Sequence, residues 1–141
     1  MIYKCYELEQ NINLIKEPIF LFYGENEGLK SELKKKIVQN NKNADIINFL
    51  QDDVIKAEES FFNDIFNISL FEKEKIYIIS QANDKILDII QSVQSKLEKQ
   101  KVFLFAEILD KKSKLRNYFE KTNNCGVTAC YPDNEITFKK L

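Results

Sequence analysis

Gly24-Glu25-Asn26-Glu27-Gly28-Leu29-Lys30-Ser31 comes close in residue type and spacing to a loop that holds phosphate. A working loop of this kind runs Gly, four residues, then Gly-Lys-Ser/Thr. Its backbone N–H groups wrap the phosphates and the lysine reaches the terminal ones. Here Gly28 arrives one residue early and Leu29 stands directly before Lys30. Glu25 and Glu27 bring negative charge to the place where a phosphate would arrive, and they compete with it for the same helix N-terminus. The stretch therefore reads as a strand-to-helix turn, with Gly24 making the bend and the early acids favouring the helix dipole. Magnesium-dependent hydrolysis also lacks its second half. The apolar runs that follow end in Ser80-Gln81 and Glu107-Ile108, not in the acidic pair that would hold the ion and position water. No catalytic residue, cofactor or metal is expected, and the chain is not expected to be an enzyme.

Other chemistries lose their residues. The 141-residue chain has no histidine, which removes the usual base at neutral pH and the commonest metal ligand. Cys5, Cys125 and Cys130 match neither a zinc nor a thioredoxin spacing and read as reduced, buried thiols of a cytoplasmic protein. A formal net charge of −1 argues against gripping nucleic acid through the overall field. The run Lys111-Lys112-Ser113-Lys114-Leu115-Arg116 reads as a solvated helix face, with a neighbouring subunit or a phosphate backbone as the sharper alternative. Asp52-Asp53 reads as helix-capping acid. No signal peptide or membrane-length apolar run is evident.

The elements that must position any site are legible as apolar patterns. Ile19–Tyr23, Ile76–Ile79 and Val102–Ala106 are apolar throughout, as in parallel strands covered on both faces. Ala44–Leu50 alternates more and suits a sheet edge. Gly126–Cys130 is a fifth candidate stopped by Pro132, and Ile2–Cys5 a possible added edge strand before a short helix over Tyr6–Ile15. Amphipathic helices are predicted from Leu29, Leu33 and Ile37, and from Phe61, Phe62, Ile65 and Phe66 in a segment beginning near Asp53. Two more follow from Ile86, Ile90, Val93 and Leu97 behind an Asn83 or Asp84 cap, and from Leu115, Tyr118 and Phe119 behind Asp110 or Ser113. The expected fold is α/β: a three-layer parallel sheet of about five strands flanked by helices, in one domain over residues 1–141. Asp133–Leu141 reads as the start of a helix, as in a fragment of a longer protein.

One segment is apolar where a short connection is expected. Asn67-Ile68-Ser69-Leu70-Phe71 lies between the Phe-rich helix and the strand beginning near Lys75. Its side chains either tuck into the core or form a small exposed anchor, and local pattern leaves both open. The order of four features adds to this: Ile19-Phe20-Leu21-Phe22-Tyr23-Gly24-Glu25-Asn26-Glu27, Asn67–Phe71 leading into Lys75–Ile79, Val102–Ala106, and Leu109-Asp110-Lys111-Lys112-Ser113-Lys114-Leu115-Arg116. In that order, from about Tyr3 to Tyr131, the chain resembles the N-terminal domain of the delta subunit of the bacterial DNA polymerase III clamp loader. The resemblance implies an AAA+-like, phosphate-loop-NTPase-like domain without a functional nucleotide site, which docks on the sliding clamp (the beta subunit) and helps open the ring in DNA replication. It implies Leu70 and Phe71 as the clamp anchors, with Ile68 and Ser69 beside them. It also implies other clamp-loader subunits as partners of the full-length protein, DNA contact only indirectly, and no membrane. The alternatives kept beside it are a nucleotide- or phosphoryl-responsive doubly wound switch, for which Glu25 and Glu107 are a poor acidic cluster, and a structural fragment that only supports assembly.

Overall fold

The computed structural model describes residues 1–67, 74–97 and 99–131. Ile19–Tyr23 (β2), Lys75–Ala82 (β4) and Lys101–Ala106 (β5) are strands with apolar side chains on both faces, which only a sheet covered by helices above and below can bury. Every residue of β2 is buried. Cys125–Ala129 (β6) and Ile2–Lys4 (β1) continue the sheet on one side, and Asp45–Leu50 (β3) closes the other. The order is β1-β6-β2-β5-β4-β3, all parallel, with Ile19 opposite both Val102 and Cys125. The alternating β3 is an edge strand, as its pattern predicted. The sheet has six strands where about five were expected, because Ile2–Lys4 pairs with Val127–Ala129.

Alternation along each strand divides the core into two layers. Ile19, Leu21 and Tyr23 point to one face with Tyr77, Ile79, Val102 and Leu104. There they meet residues of Gln51–Lys56 (α3), Glu58–Phe66 (α4), Leu87–Gln94 (α5) and Lys114–Lys121 (α6). Phe20, Phe22, Phe103 and Phe105 point to the other face, against Cys5–Gln10 (α1) and Glu27–Asn40 (α2). The stripe Leu29, Leu33 and Ile37 of α2 is buried here as its spacing predicts. Four of the eleven phenylalanines pack together in this second layer. Phe22 lies 4.7 Å from Phe20 and stacks on Phe105 at 4.7 Å and 9°. Gly126 faces the same rings, and a Cβ there would sit 2.6 Å from Phe20.

Three expectations need correction. The helix expected from near Asp53 breaks at Ala57 into α3 and α4. Asp52 and Asp53 lie in the first turn of α3 and make no side-chain cap; their contribution is charge near a helix start. Leu97 packs on the core from beyond the end of α5. Pro132 and Asp133–Leu141 lie outside the described residues.

Candidate functional site

In a parallel sheet the carboxyl ends of the strands are where ligands are usually held. Here Gly24 follows β2, Glu107 follows β5, and Ser80 and Gln81 lie just before Ala82, the last residue of β4. Glu107, Ser80 and Gln81, with Glu27, Lys30 and Ser31, line an open cavity of about 290 Å³. Gly24 has φ of 123°, and its N–H donates to Glu107 O at 2.8 Å. Cys130 runs alongside: its N–H donates to Tyr23 O at 2.6 Å, and its carbonyl accepts from Asn26 N at 3.1 Å. Asn26 caps α2, its Oδ1 accepting from Leu29 N at 3.1 Å, while its Nδ2 donates to Tyr131 O at 3.1 Å. Sequence reasoning passed over this residue, although an Asn three places before the first buried helical leucine is a recognisable start signal.

The lysine of the altered loop is not free to meet an anion. Lys30 is buried, and its Nζ donates to Glu27 Oε1 at 2.7 Å and to Ala106 O at 2.8 Å. The Glu27 carboxylate thus occupies the lysine as a phosphate would, from inside the chain. The expectation that Glu27 serves the helix dipole is sharpened to this ion pair; its side chain is 74% exposed, so water screens the pair on one side. Lys30→Ala should lower stability by about 2 kcal/mol, because it removes packed methylenes and leaves Ala106 O without its charged donor. Urea unfolding measures this, and an unchanged midpoint would show that the lysine is not structural.

The basic run divides. Lys111, Lys112 and Lys114 are exposed as expected, but Arg116 turns inward. Its Nη1 donates to Leu109 O at 2.9 Å, its Nε to Glu120 Oε2 at 3.2 Å, and its guanidinium lies 5.1 Å from the Tyr23 ring centroid. Burial pushes the Tyr23 phenol up to about 12 against the pull of Arg116, so the ring stays neutral and the contact is cation–π. Ser113 caps α6, accepting from Arg116 N at 3.2 Å, whereas Asp110 bonds within its own turn to Lys112 N. Asp84, named beside Asn83 as an alternative cap of its own helix, reaches across instead. It accepts from Ser113 Oγ at 2.6 Å and from Lys114 N and Leu115 N, while Asn83 caps the local turn. Desolvation would raise the Asp84 pKa, but the bonds from Ser113, Leu115 and Lys114 outweigh it and hold the carboxyl below its ordinary range. A depressed folded-state value means stability present at neutral pH and lost as pH falls through the carboxylate range. Asp84→Ala should therefore cost about 1 kcal/mol near pH 7, with the gap to wild type narrowing between about pH 5 and pH 3. Denaturation curves at several pH values check it; a gap that widens on acidification would contradict the assignment.

Ile68, Ser69, Leu70 and Phe71 lie outside the described residues, but both flanks are described. Tyr77 Oη in β4 donates to Asp64 Oδ2 at 2.8 Å, and Gln100 Nε2 donates to Ile65 O, so α4 is tied to the sheet just before the segment. After it, Glu74 O accepts from Asp45 N at 2.8 Å. Phe66 stacks on Phe62 with ring centroids 6.0 Å apart. Among the described residues no group of three His, Cys, Asp or Glu could hold a metal ion, and no helix is long and apolar enough to cross a membrane.

These features define a class: a three-layer α/β domain on an all-parallel sheet, with a phosphate-loop-like turn after the second strand whose lysine is already occupied. The chain is similar to the solved Bacillus subtilis DNA clamp loader delta protein (YqeN), with a TM-score of 0.68 at 15% identity. The match covers 96% of this chain and 45% of that one, so the chain spans less than half of that protein's length. At this identity the likeness is one of fold. No family model and no curated protein matches the sequence.

Proposed function

We propose that the chain is a clamp-loader delta-type domain that binds the sliding clamp of bacterial DNA polymerase III and helps open the ring during DNA replication, without catalysis of its own. The observation that carries this reading is Ser69-Leu70-Phe71 in the connection from α4 to β4, within a fold shared with a clamp loader delta protein. Both ends of that connection are anchored to the sheet, so a pair of apolar side chains presented there would start from a braced platform. Leu70 and Phe71 are the anchors, with Ile68 and Ser69 supporting them. The domain favours the opened ring to the extent that it binds that form more tightly. The occupied Lys30 supports a non-catalytic role. Other clamp-loader subunits would join the full-length protein, DNA contact would be indirect, and the setting is the cytoplasm.

The test is capture of the sliding clamp from the same genome by the immobilised chain, with the Leu70→Ala, Phe71→Ala double variant alongside. Capture by wild type and its loss in the variant are expected. Equal capture by both would overturn the assignment of the anchors. Calorimetry with ATP and Mg²⁺ should give no binding heat, and measurable binding would favour a nucleotide-responsive switch instead.

A further inference from the structure

We infer that Cys5 and Cys130 form a redox-sensitive pair, which hydroperoxides convert to an intramolecular disulfide joining the start of α1 to the end of the β6 run. The two sulfur atoms lie 3.3 Å apart. Both thiols are free and buried, Cys5 at 5% exposure and Cys130 at 0%. The strand register explains their meeting. Lys4 is opposite Ala129 in the parallel β1–β6 pair, so Cys5 and Cys130 follow on the next rung. Neighbouring strands run roughly 4.8 Å apart, which falls in the range of about 4.4–6.8 Å that Cα atoms of a disulfide span. An S–S bond of about 2 Å requires the sulfurs to approach by roughly a further 1.3 Å, within reach of side-chain rotation and small backbone adjustment.

The third cysteine supplies an internal control. Cys125 begins β6, and five residues of strand place it roughly 16 Å from Cys130. It is buried, and its thiol is pushed up to about 11, mainly by desolvation. It has no partner sulfur within reach along this strand.

The order of events follows from access. The Cys130 thiol is held well above its ordinary pKa, first by the side-chain hydrogen bond with Cys5 and then by burial. Cys5, with the residual exposure, reacts first. As its thiol gives up a proton, the sulfur attacks one oxygen of hydrogen peroxide. The O–O bond breaks, an S–O bond forms, and the leaving hydroxide takes that proton to become water (an organic hydroperoxide would release an alcohol instead). The Cys130 sulfur then displaces the second oxygen from the sulfenic acid. The S–S bond forms as the S–O bond breaks, and the proton given up by Cys130 leaves in a second water. Two thiols are oxidised by two electrons in total, and one hydroperoxide is reduced.

The bridge would brace the turn described above. Cys130 exchanges backbone hydrogen bonds with Tyr23 and Asn26, and its carbonyl packs on Gly24. A covalent link from Cys5 therefore restrains the chain's first helix and the β2–α2 turn together. It also closes most of the chain into one loop, the case in which a cross-link restricts the unfolded state most.

The test treats the folded chain with hydrogen peroxide, quenches with an alkylating agent and maps the disulfides by mass spectrometry. A Cys5–Cys130 linked peptide is expected, with Cys125 alkylated only after unfolding. The oxidised chain should melt about 5–15 °C higher, and reductant should reverse the shift. Cys125→Ser should behave as wild type, and Cys130→Ser should stop at a Cys5 sulfenic acid that a cyclic diketone probe traps. Absence of the Cys5–Cys130 link, or a link that involves Cys125, would overturn the inference. None of these readouts depends on clamp binding.

Discussion

Replacing Leu70 and Phe71 together with alanine should weaken the chain's hold on the sliding clamp by about a thousandfold while leaving its unfolding free energy unchanged. An apolar anchor that fills a partner's pocket contributes on the order of 2 kcal/mol, and two neighbouring anchors about 4 kcal/mol, which is close to three decades in Kd. Phe71→Ala should be the more damaging single change, since the ring buries the greater area. The alternative, that these side chains complete the core, makes the opposite forecast. Large-to-small core changes cost about 2–5 kcal/mol each in stability, so the double variant would lose several kcal/mol. Titration of the clamp and a urea curve on the same preparations decide between them. Lost binding at full stability supports the anchor reading. Lost stability would return the segment to the core.

Gly24→Ala should cost at least about 4 kcal/mol, a large share of a total stability of about 5–15 kcal/mol. A Cβ at this position would lie 2.0 Å from the carbonyl oxygen of Cys130, 2.7 Å from its carbonyl carbon and 2.9 Å from its nitrogen. Those atoms belong to backbone held by the Cys130 N–Tyr23 O and Asn26 N–Cys130 O bonds, so relief of the clash breaks at least one of them. The φ of 123° adds strain that an L side chain rarely tolerates. Gly28 is the control. It sits inside α2, where the nearest atom to an added Cβ is Asn26 Oδ1 at 3.7 Å. Gly28→Ala should raise stability by about 0.5–1 kcal/mol through helix propensity. Soluble yield and thermal unfolding of the two variants check the contrast; a Gly24→Ala protein as stable as wild type would show that the turn relaxes at little cost.

The candidate sites were legible to unequal degrees. The altered loop could be read as non-functional from Leu29, Glu25 and Glu27, because a phosphate loop depends on local spacing and charge. That Lys30 is already bonded could not be read, since one of its partners, Ala106 O, is 76 residues away. Asp84 escaped for the same reason: it caps a helix that begins about thirty residues later. The apolar pattern marked Ser69-Leu70-Phe71 as unusual, but its reading as an anchor came through resemblance alone, because a short apolar connection looks the same whether it is buried or offered to a partner.

The turn at Gly24 shows where the division falls. The sequence by itself determined the layers: strands apolar on both faces, helices with one apolar stripe, and a charged loop unsuited to phosphate. Those properties repeat every two or three to four residues and need no knowledge of the rest of the chain. Only the tertiary structure decided that β6 would lie between β1 and β2. That placement brings the Cys130 carbonyl against Gly24 and the Cys130 sulfur against Cys5. Two glycines that are equivalent as letters become one residue that is costly to replace and one that is not. The physical reason is that backbone conformation is biased locally, whereas the atoms that forbid a side chain arrive from distant strands when the sheet closes.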